Sequence, residues 1–545
     1  MGIKPIGQLL KEKGFVTERH IAFALKEQQA TGERLGEVLT RLGIVTDFEV
    51  AQVLAEQSGF PYLDLRNLVP QQKALLRVPV NLAREAEILP FRLENKTLSV
   101  AIVDPYDHRL LANLRRVVDL QVEIYVAPKS EIKRVIQWYY YLLQNPPERE
   151  IQQLIERLRQ NPQLEFNAEQ LWHNILVHAI SQHAADIHFA PSEKSTRVYY
   201  RLDGLLELAF VFPQVVHSRL IGAIKVRAGM DIAEQRLPQD GRLRFEFLGD
   251  EYDLRISTVR GLYGENLVLR ILPVKATVLH LSSLGFEKEE VRILKSLFNR
   301  PQGMILVTGP TGSGKTTTLY SALRLIDAIS KNVVTAEDPV EYSFPLIRQT
   351  QINEEIGYTF AAAIRHFLRQ DPDVILVGEI RDEETAMMAV RAALTGHLFL
   401  STLHTNDSIS AVERLRDLGI NDSLLASTLS GITAQRLLRR LCPHCQEEYE
   451  PPAELLEKYG LPKEKTYFRG KGCEHCRHTG YLGRFAITEI FLVSETIRTL
   501  LSRGADLLTL HEAAKEEGFS PLLEAGKRRV LAGETTVEEL ERVLG

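Results

Sequence analysis

The chain has 545 residues, 44% hydrophobic and 25% charged, which is the balance of a soluble globular protein with room for about three to four domains. With 66 basic against 71 acidic side chains and a net charge of −5, it has no overall bias toward nucleic acid or anionic lipid. No apolar run approaches the ~18 residues that cross a bilayer, Lys11, Glu12 and Lys13 interrupt any secretory apolar core, and Ile6 breaks the myristoylation pattern, so a cytoplasmic protein is expected, with any membrane association made through a protein partner.

The first element is a repeat: residues 6–29 and 35–58 align Gly7 with Gly36, Leu10 with Leu39, Gly14 with Gly43 and Gln28 with Gln57. Each copy reads as a short helix, a glycine stop and a second helix opened by a Val-Thr pair, with Thr17 and Thr46 as N-caps. Two copies are too few for a solenoid and suggest a compact helical pair. Short strands at 98–104 and 122–128 mix with helices to complete an N-terminal regulatory or docking domain over 1–145. Residues 146–165, with Pro146-Pro147, a charged helical stretch and Asn161-Pro162, read as a linker. Strands dominate 166–275, at 196–204, 241–249, 251–257 and 265–272. From 276 to 545 strands and helices alternate, which predicts an α/β domain on a parallel sheet.

That last domain opens with GPTGSGKTTTLY, 309–320, after the apolar run 304–307 and before helical spacing to Ile329. Gly309-x4-Gly314-Lys315-Thr316 fits the phosphate-loop pattern. Its backbone, through Gly309, Pro310, Thr311, Gly312, Ser313 and Gly314, would curl around phosphate oxygens, every residue but Pro310 having an N–H to offer. Lys315 would reach the β- and γ-phosphates, Thr316 would place its hydroxyl on Mg²⁺, and Thr317 completes the binding run. Hydrolysis also needs carboxylates. One strand, 374–377, ends in Glu379, and another, 333–336, ends in Glu337, Asp338 and Glu341. The ends of such strands are where α/β folds place ligands. A third strand, 398–400, lies between His397 and His404, with Ser401, Thr402, Thr405 and Asn406 close by. That composition suits a sensor of the γ-phosphate, and equally suits satisfied structural residues.

These four boxes, GPTGSGKTTTLY, EDPVEY, RQDPDVILVGEIRD and LTGHLFLSTLHTND, resemble those of the secretion ATPase superfamily, and more narrowly the assembly ATPases of type II secretion and type IV pili. The resemblance covers most of 166–490. It implies a RecA-like ATPase domain, an α+β, PAS-like domain before it, a hexameric ring, and an inner-membrane platform protein of a pilus or secretion system as partner, with no nucleic acid. It also implies arginines that complete the site: Arg255 and Arg270 of the strand-rich domain, and Arg365 and Arg369, four apart on one helix face. Read on composition alone, each of these would be a surface ion pair. The stretch 237–242 also matches the family.

All four cysteines lie in two C-x-x-C pairs, Cys442 with Cys445 and Cys473 with Cys476. Four thiolates at this spacing suit one tetrahedral Zn²⁺, provided a small folded insert spans about 440–480. His444, His475 and His478 are substitute ligands. The assembly ATPases carry a similar module. The second repeat also resembles the tandem motif by which their N-terminal domains bind cyclic di-GMP, which carries Arg34, Leu35, Gly36 and Gln57 over as contacts. The first copy has Pro5 where the motif has Arg and so lacks one charge-assisted contact. The resulting expectation is an ATP-hydrolysing motor that powers pilus or pseudopilus assembly, with Glu341 orienting the attacking water and Glu379 near Mg²⁺, roles that are exchangeable. A RecA-like nucleic-acid translocase is a rival, which would want a basic channel and stacking aromatics. A nonhydrolysing cyclic-dinucleotide-sensing adaptor is another.

Overall fold

The computed structural model describes residues 4–65, 68–107, 114, 118, 120–274 and 281–545. The expected boundary at 275–276 lies outside the described residues. The chain forms two compact units, Met1–Lys13 with Asp47–Ala276, and Gly14–Thr46 with Thr277–Gly545.

In the first unit, helices Ile6–Glu12 and Asp47–Ser58 pack together. A three-stranded sheet follows. Ile88–Glu94 runs antiparallel to Thr97–Ile102, which pairs in parallel with Gln121–Val126. The charged helical stretch expected within a linker is the helix Pro147–Gln160, and it is packed rather than free: its Ile151, Leu154, Ile155 and Leu158 are buried in the core of the strand-rich region. Its charged residues face away from that stripe, and they are what gives the segment the composition of a linker. The same core is capped by helices Ala168–Ser181 and Val215–Arg227 over a six-stranded sheet. Its order is Leu205–Pro213, Ser195–Leu202, Asp186–Pro191, Gly264–Pro273, Asp250–Gly261, Gln239–Phe247, antiparallel throughout. Alternate residues such as Val198, Tyr200, Leu254, Ile256, Leu267 and Leu269 are buried, so the opposite face carries the polar side chains.

In the second unit, the repeat helices Glu18–Thr31 and Leu35–Arg41 pack on each other. The Thr17 hydroxyl accepts from the His20 N–H at 3.3 Å, as an N-cap should. The seven-stranded sheet has the order Arg348–Gln351, Val333–Glu337, Val374–Val377, Leu398–Leu403, Gly303–Thr308, Leu429–Leu441, Tyr481–Leu492. Its first six strands are parallel, as strand–helix alternation requires, and only Tyr481–Leu492 runs antiparallel, on Leu429–Leu441. Helices cover both faces, so the central strands are continuous apolar runs. This is the RecA-like layout, and its strand C-termini gather the phosphate loop and both carboxylate clusters at one edge.

Candidate active site

The strand Gly303–Thr308 is buried throughout and delivers the loop 309–314 to the start of helix Lys315–Leu323. Gly309 and Gly314 have φ of +143° and +88°, which side chains with a Cβ avoid. The Lys315 ammonium is buried and donates to the carbonyls of Gly309 at 2.8 Å and Pro310 at 3.1 Å. Burial pushes its pKa down and Arg436 adds to this, against the pull of Glu379. Thr316 is exposed at the mouth. The loop opens on a cleft of about 460 Å³ that also takes in Glu337, Asp338, Glu341, Glu379, Thr402 and His404.

Within this cleft the carboxylates differ. Glu337 is buried, and its oxygens accept from the hydroxyls of Tyr320 and Thr335 and from the Gln349 amide at 3.1 Å. With three donors on it, it anchors the carboxylate-bearing loop that follows. Tyr320 carries that restraint forward, because its hydroxyl accepts from the Glu341 N–H at 3.1 Å. Glu379 is held on both oxygens, by an ion pair with Arg381 at 2.6 Å and by the His404 ring nitrogen at 3.3 Å. Burial raises its pKa, but Arg381 and His404 outweigh burial and hold the carboxyl below its ordinary value. Of the sensor cluster, Thr402 and His404 reach the cleft. Ser401 donates to the Val377 carbonyl at 2.7 Å and so ties two strands. Thr405 bonds the Thr308 hydroxyl at 2.7 Å, and the Asn406 carbonyl accepts from Arg436 at 2.9 Å.

Three expected residues do not join them in this chain. His397 precedes the strand Leu398–Leu403, at the opposite end from the phosphate loop, and its Nδ1 lies 2.9 Å from the Ala392 carbonyl. Arg365 pairs with Glu384 at 2.6 Å, and Arg369 donates to the Arg365 carbonyl at 3.0 Å. Neither lines the cleft. Conversely, Arg484, which stands in no motif, lines it.

The four cysteine Sγ atoms lie within 4.8 Å of one another. The Sγ separations are 3.8 Å for Cys442–Cys473, 3.6 Å for Cys445–Cys476 and 3.7 Å for Cys473–Cys476. A tetrahedron built on about 2.3 Å metal–sulfur bonds has edges of about 3.8 Å, so the donor set fits that ion. Backbone N–H groups of Gly472 at 3.3 Å and Cys473 at 3.1 Å point at Cys445 and Cys476 sulfurs, as they do at thiolates. The gap between the pairs is filled by helix Ala453–Tyr459 and a hairpin of Gln446–Tyr449 with Tyr467–Gly470.

Residues 163–542 match the type II/IV secretion system proteins, and residues 58–145 match the MshEN domain. The chain belongs to the type II/IV secretion system protein family. Secretion and pilus ATPases are the enzymes of this family, and ATP hydrolase is the class to which the chain belongs. It is 38% identical to the type IV pilus assembly ATPase PilB of Myxococcus xanthus over 98% of each chain. It is 36% identical to the type II secretion system protein E of Xanthomonas campestris, over 99% of this chain and 98% of that protein. The ATPase DotB of Legionella pneumophila shares the fold, with a TM-score of 0.52 at 21% identity, over 68% of this chain and 94% of DotB.

The arginines expected in the strand-rich region of this family member lie on the polar face of its six-stranded sheet. Arg242, Arg255, Arg270, Asp186 and Arg201 stand directly opposite one another on successive strands. Asp186 is buried and accepts from Arg270 at 3.0 Å and Arg201 at 2.8 Å. Arg255 lies 3.7 Å from Asp253, and its Nε and Nη2 have no hydrogen-bond partner among the described residues. Of the residues assigned to a cyclic dinucleotide, Arg34 is exposed just before the helix that starts at Leu35, and Gly36 is buried. The Gln57 amide donates to the Lys4 carbonyl at 2.6 Å.

Proposed function

We propose that the chain is a hexameric cytoplasmic motor that hydrolyses ATP to power assembly of a type IV pilus or a type II secretion pseudopilus, acting on an inner-membrane platform protein. The convergence of Lys315, Glu341, Glu379 and His404 on one cleft carries this reading. No helix among the described residues is long and apolar enough to cross a membrane. The loop amides and Lys315 hold the β- and γ-phosphates, with the ammonium leaving the Gly309 and Pro310 carbonyls to do so. Glu341 orients a water for in-line attack on the γ-phosphorus, the bond to the β–γ bridging oxygen breaks, and ADP leaves with that electron pair. Glu379 and Thr316 face the Mg²⁺ position, where a bound ion would neutralise charge on the phosphates. His404, paired with Glu379, reads the γ-phosphate, and Arg255 and Arg270 neutralise charge on the transferring group. Phosphate release by the purified full chain tests this. Turnover that is lost in Glu379→Gln supports it, equal and negligible rates in both proteins sink it, and stimulation by DNA would favour a translocase.

The tetracysteine module holds a structural Zn²⁺ that ties the hairpin insert to the sheet. Metal analysis of the purified chain should find about one zinc per chain. Chelation, or Cys476→Ser, should lower the unfolding midpoint by on the order of 5 °C. A metal-free chain with an unshifted midpoint rejects the assignment.

Cyclic di-GMP at the N-terminal repeat is a second reading, favoured by exposed Arg34 beside a buried Gly36, a cation next to close-packed backbone. Saturable binding of the labelled dinucleotide in roughly the micromolar range, abolished by Arg34→Ala, is expected. No binding by the wild-type chain excludes it.

A further inference from the structure

Gln435 is buried in the strand Leu429–Leu441, which runs parallel to Gly303–Thr308 with Ala434 opposite Thr308. One residue further on, Gln435 therefore stands level with the phosphate loop. Its Nε2 donates to the Ser313 carbonyl at 2.7 Å, and its Oε1 accepts from the Thr318 hydroxyl at 2.7 Å. A Cβ on Gly314 would meet that Nε2 at 2.7 Å, and a Cβ on Gly309 would meet the Gln435 carbonyl at 2.6 Å. Both ends of the loop are thus pressed against one residue of the neighbouring strand. At 309 the approach to backbone requires glycine independently of its positive φ, and at 314 a Cβ would push against the Gln435 amide.

The Ser313 bond has a directional consequence. In a trans peptide the C=O and the following N–H point in opposite directions. Drawing the Ser313 carbonyl toward the Leu429–Leu441 strand therefore turns the Gly314 N–H away from that strand, into the curl where a phosphate oxygen sits. Thr318, fully buried, extends the restraint into the helix, since its N–H donates to the Gly314 carbonyl at 3.0 Å while its hydroxyl holds Gln435. One side-chain amide thereby joins strand, loop and first helical turn.

We propose that Gln435 is a positioning residue for nucleotide binding. It presets the loop amides before ATP arrives, and it touches no phosphate itself. The proposal rests on the phosphate loop binding ATP, as argued above. Gln435→Met keeps the volume and removes both hydrogen bonds, leaving the Ser313 carbonyl and the Thr318 hydroxyl buried without their partner. Because the phosphates are held in both ground and transition states, the loss falls mainly on KM. The ATP KM of the full chain should rise about tenfold, with kcat lowered far less. Thr318→Val, which removes only the hydroxyl side of the link, should raise KM about threefold. Far-UV circular dichroism and the unfolding midpoint report whether each variant folds. A folded Gln435→Met with KM within about twofold of wild type overturns the proposal, and if that variant does not fold, an unchanged KM in Thr318→Val overturns it. A wild-type chain that neither binds nor turns over ATP would defeat the functional reading instead.

Discussion

Glu379→Gln is expected to lower ATP turnover by at least about a hundredfold while ATP still binds. The substitution is isosteric and removes only the charge. In the folded chain that charge is strongly favoured, because Arg381 and His404 hold the carboxyl below its ordinary value of 4.5 in spite of burial. The sign matters for pH. A depressed pKa keeps the group ionised throughout the neutral range, and the ionised form is lost only as pH falls through that lowered value. The acid limb of activity attributable to Glu379 therefore lies below pH 4.5. A neutral amide no longer neutralises Arg381 and offers a far weaker ligand to the metal that the phosphates require. Measuring kcat at saturating ATP, with nucleotide affinity measured separately, checks this. Wild-type turnover in the variant would show that Glu379 is a structural ion-pair partner and would move the metal-facing role to another carboxylate of the cleft.

What the sequence made legible was local. The phosphate loop is contiguous, and its glycines, lysine and threonine announce themselves by spacing alone. Glu341 and Glu379 were legible because each follows an apolar run short enough to be a buried strand, and parallel sheets put such ends together. His397 and His404 show the limit. They flank one strand, so composition groups them, yet a strand the length of Leu398–Leu403 separates its ends by roughly 20 Å. The stretch 147–160 was legible as helical, but its charge and flanking prolines suggested a linker, although Ile151, Leu154, Ile155 and Leu158 stand at helical spacing and signalled a buried face. Gln435, Tyr320 and Arg484 had no comparable signal. Gln435 and Tyr320 matter through partners on a neighbouring element and Arg484 through its place in the cleft, and the order of strands in the sheet is not written in any single segment.

Arg255→Ala and Arg270→Ala are each expected to lower turnover by on the order of 10³, the scale of arginines that neutralise a transferring phosphoryl group. The physical ground is the row Arg242, Arg255, Arg270, Asp186 and Arg201, opposite one another across five strands. Like charges directly opposite in a sheet destabilise it, and four guanidinium groups here share one carboxylate within the row. Asp186 satisfies Arg201 and Arg270, which leaves Arg255 with a 3.7 Å ion pair and two buried nitrogens lacking a hydrogen bond. Packing gains nothing from such an excess of donors, whereas a multiply charged anion would use all of it. Arg255→Lys separates charge from geometry. It keeps the cation but not the planar fork, so turnover should fall between wild type and Arg255→Ala. The decisive comparison is kcat at saturating ATP. If Arg255→Ala and Arg270→Ala both turn over at the wild-type rate, the row serves some other anion, and Lys315 with Mg²⁺ must neutralise the transferring phosphoryl group without them.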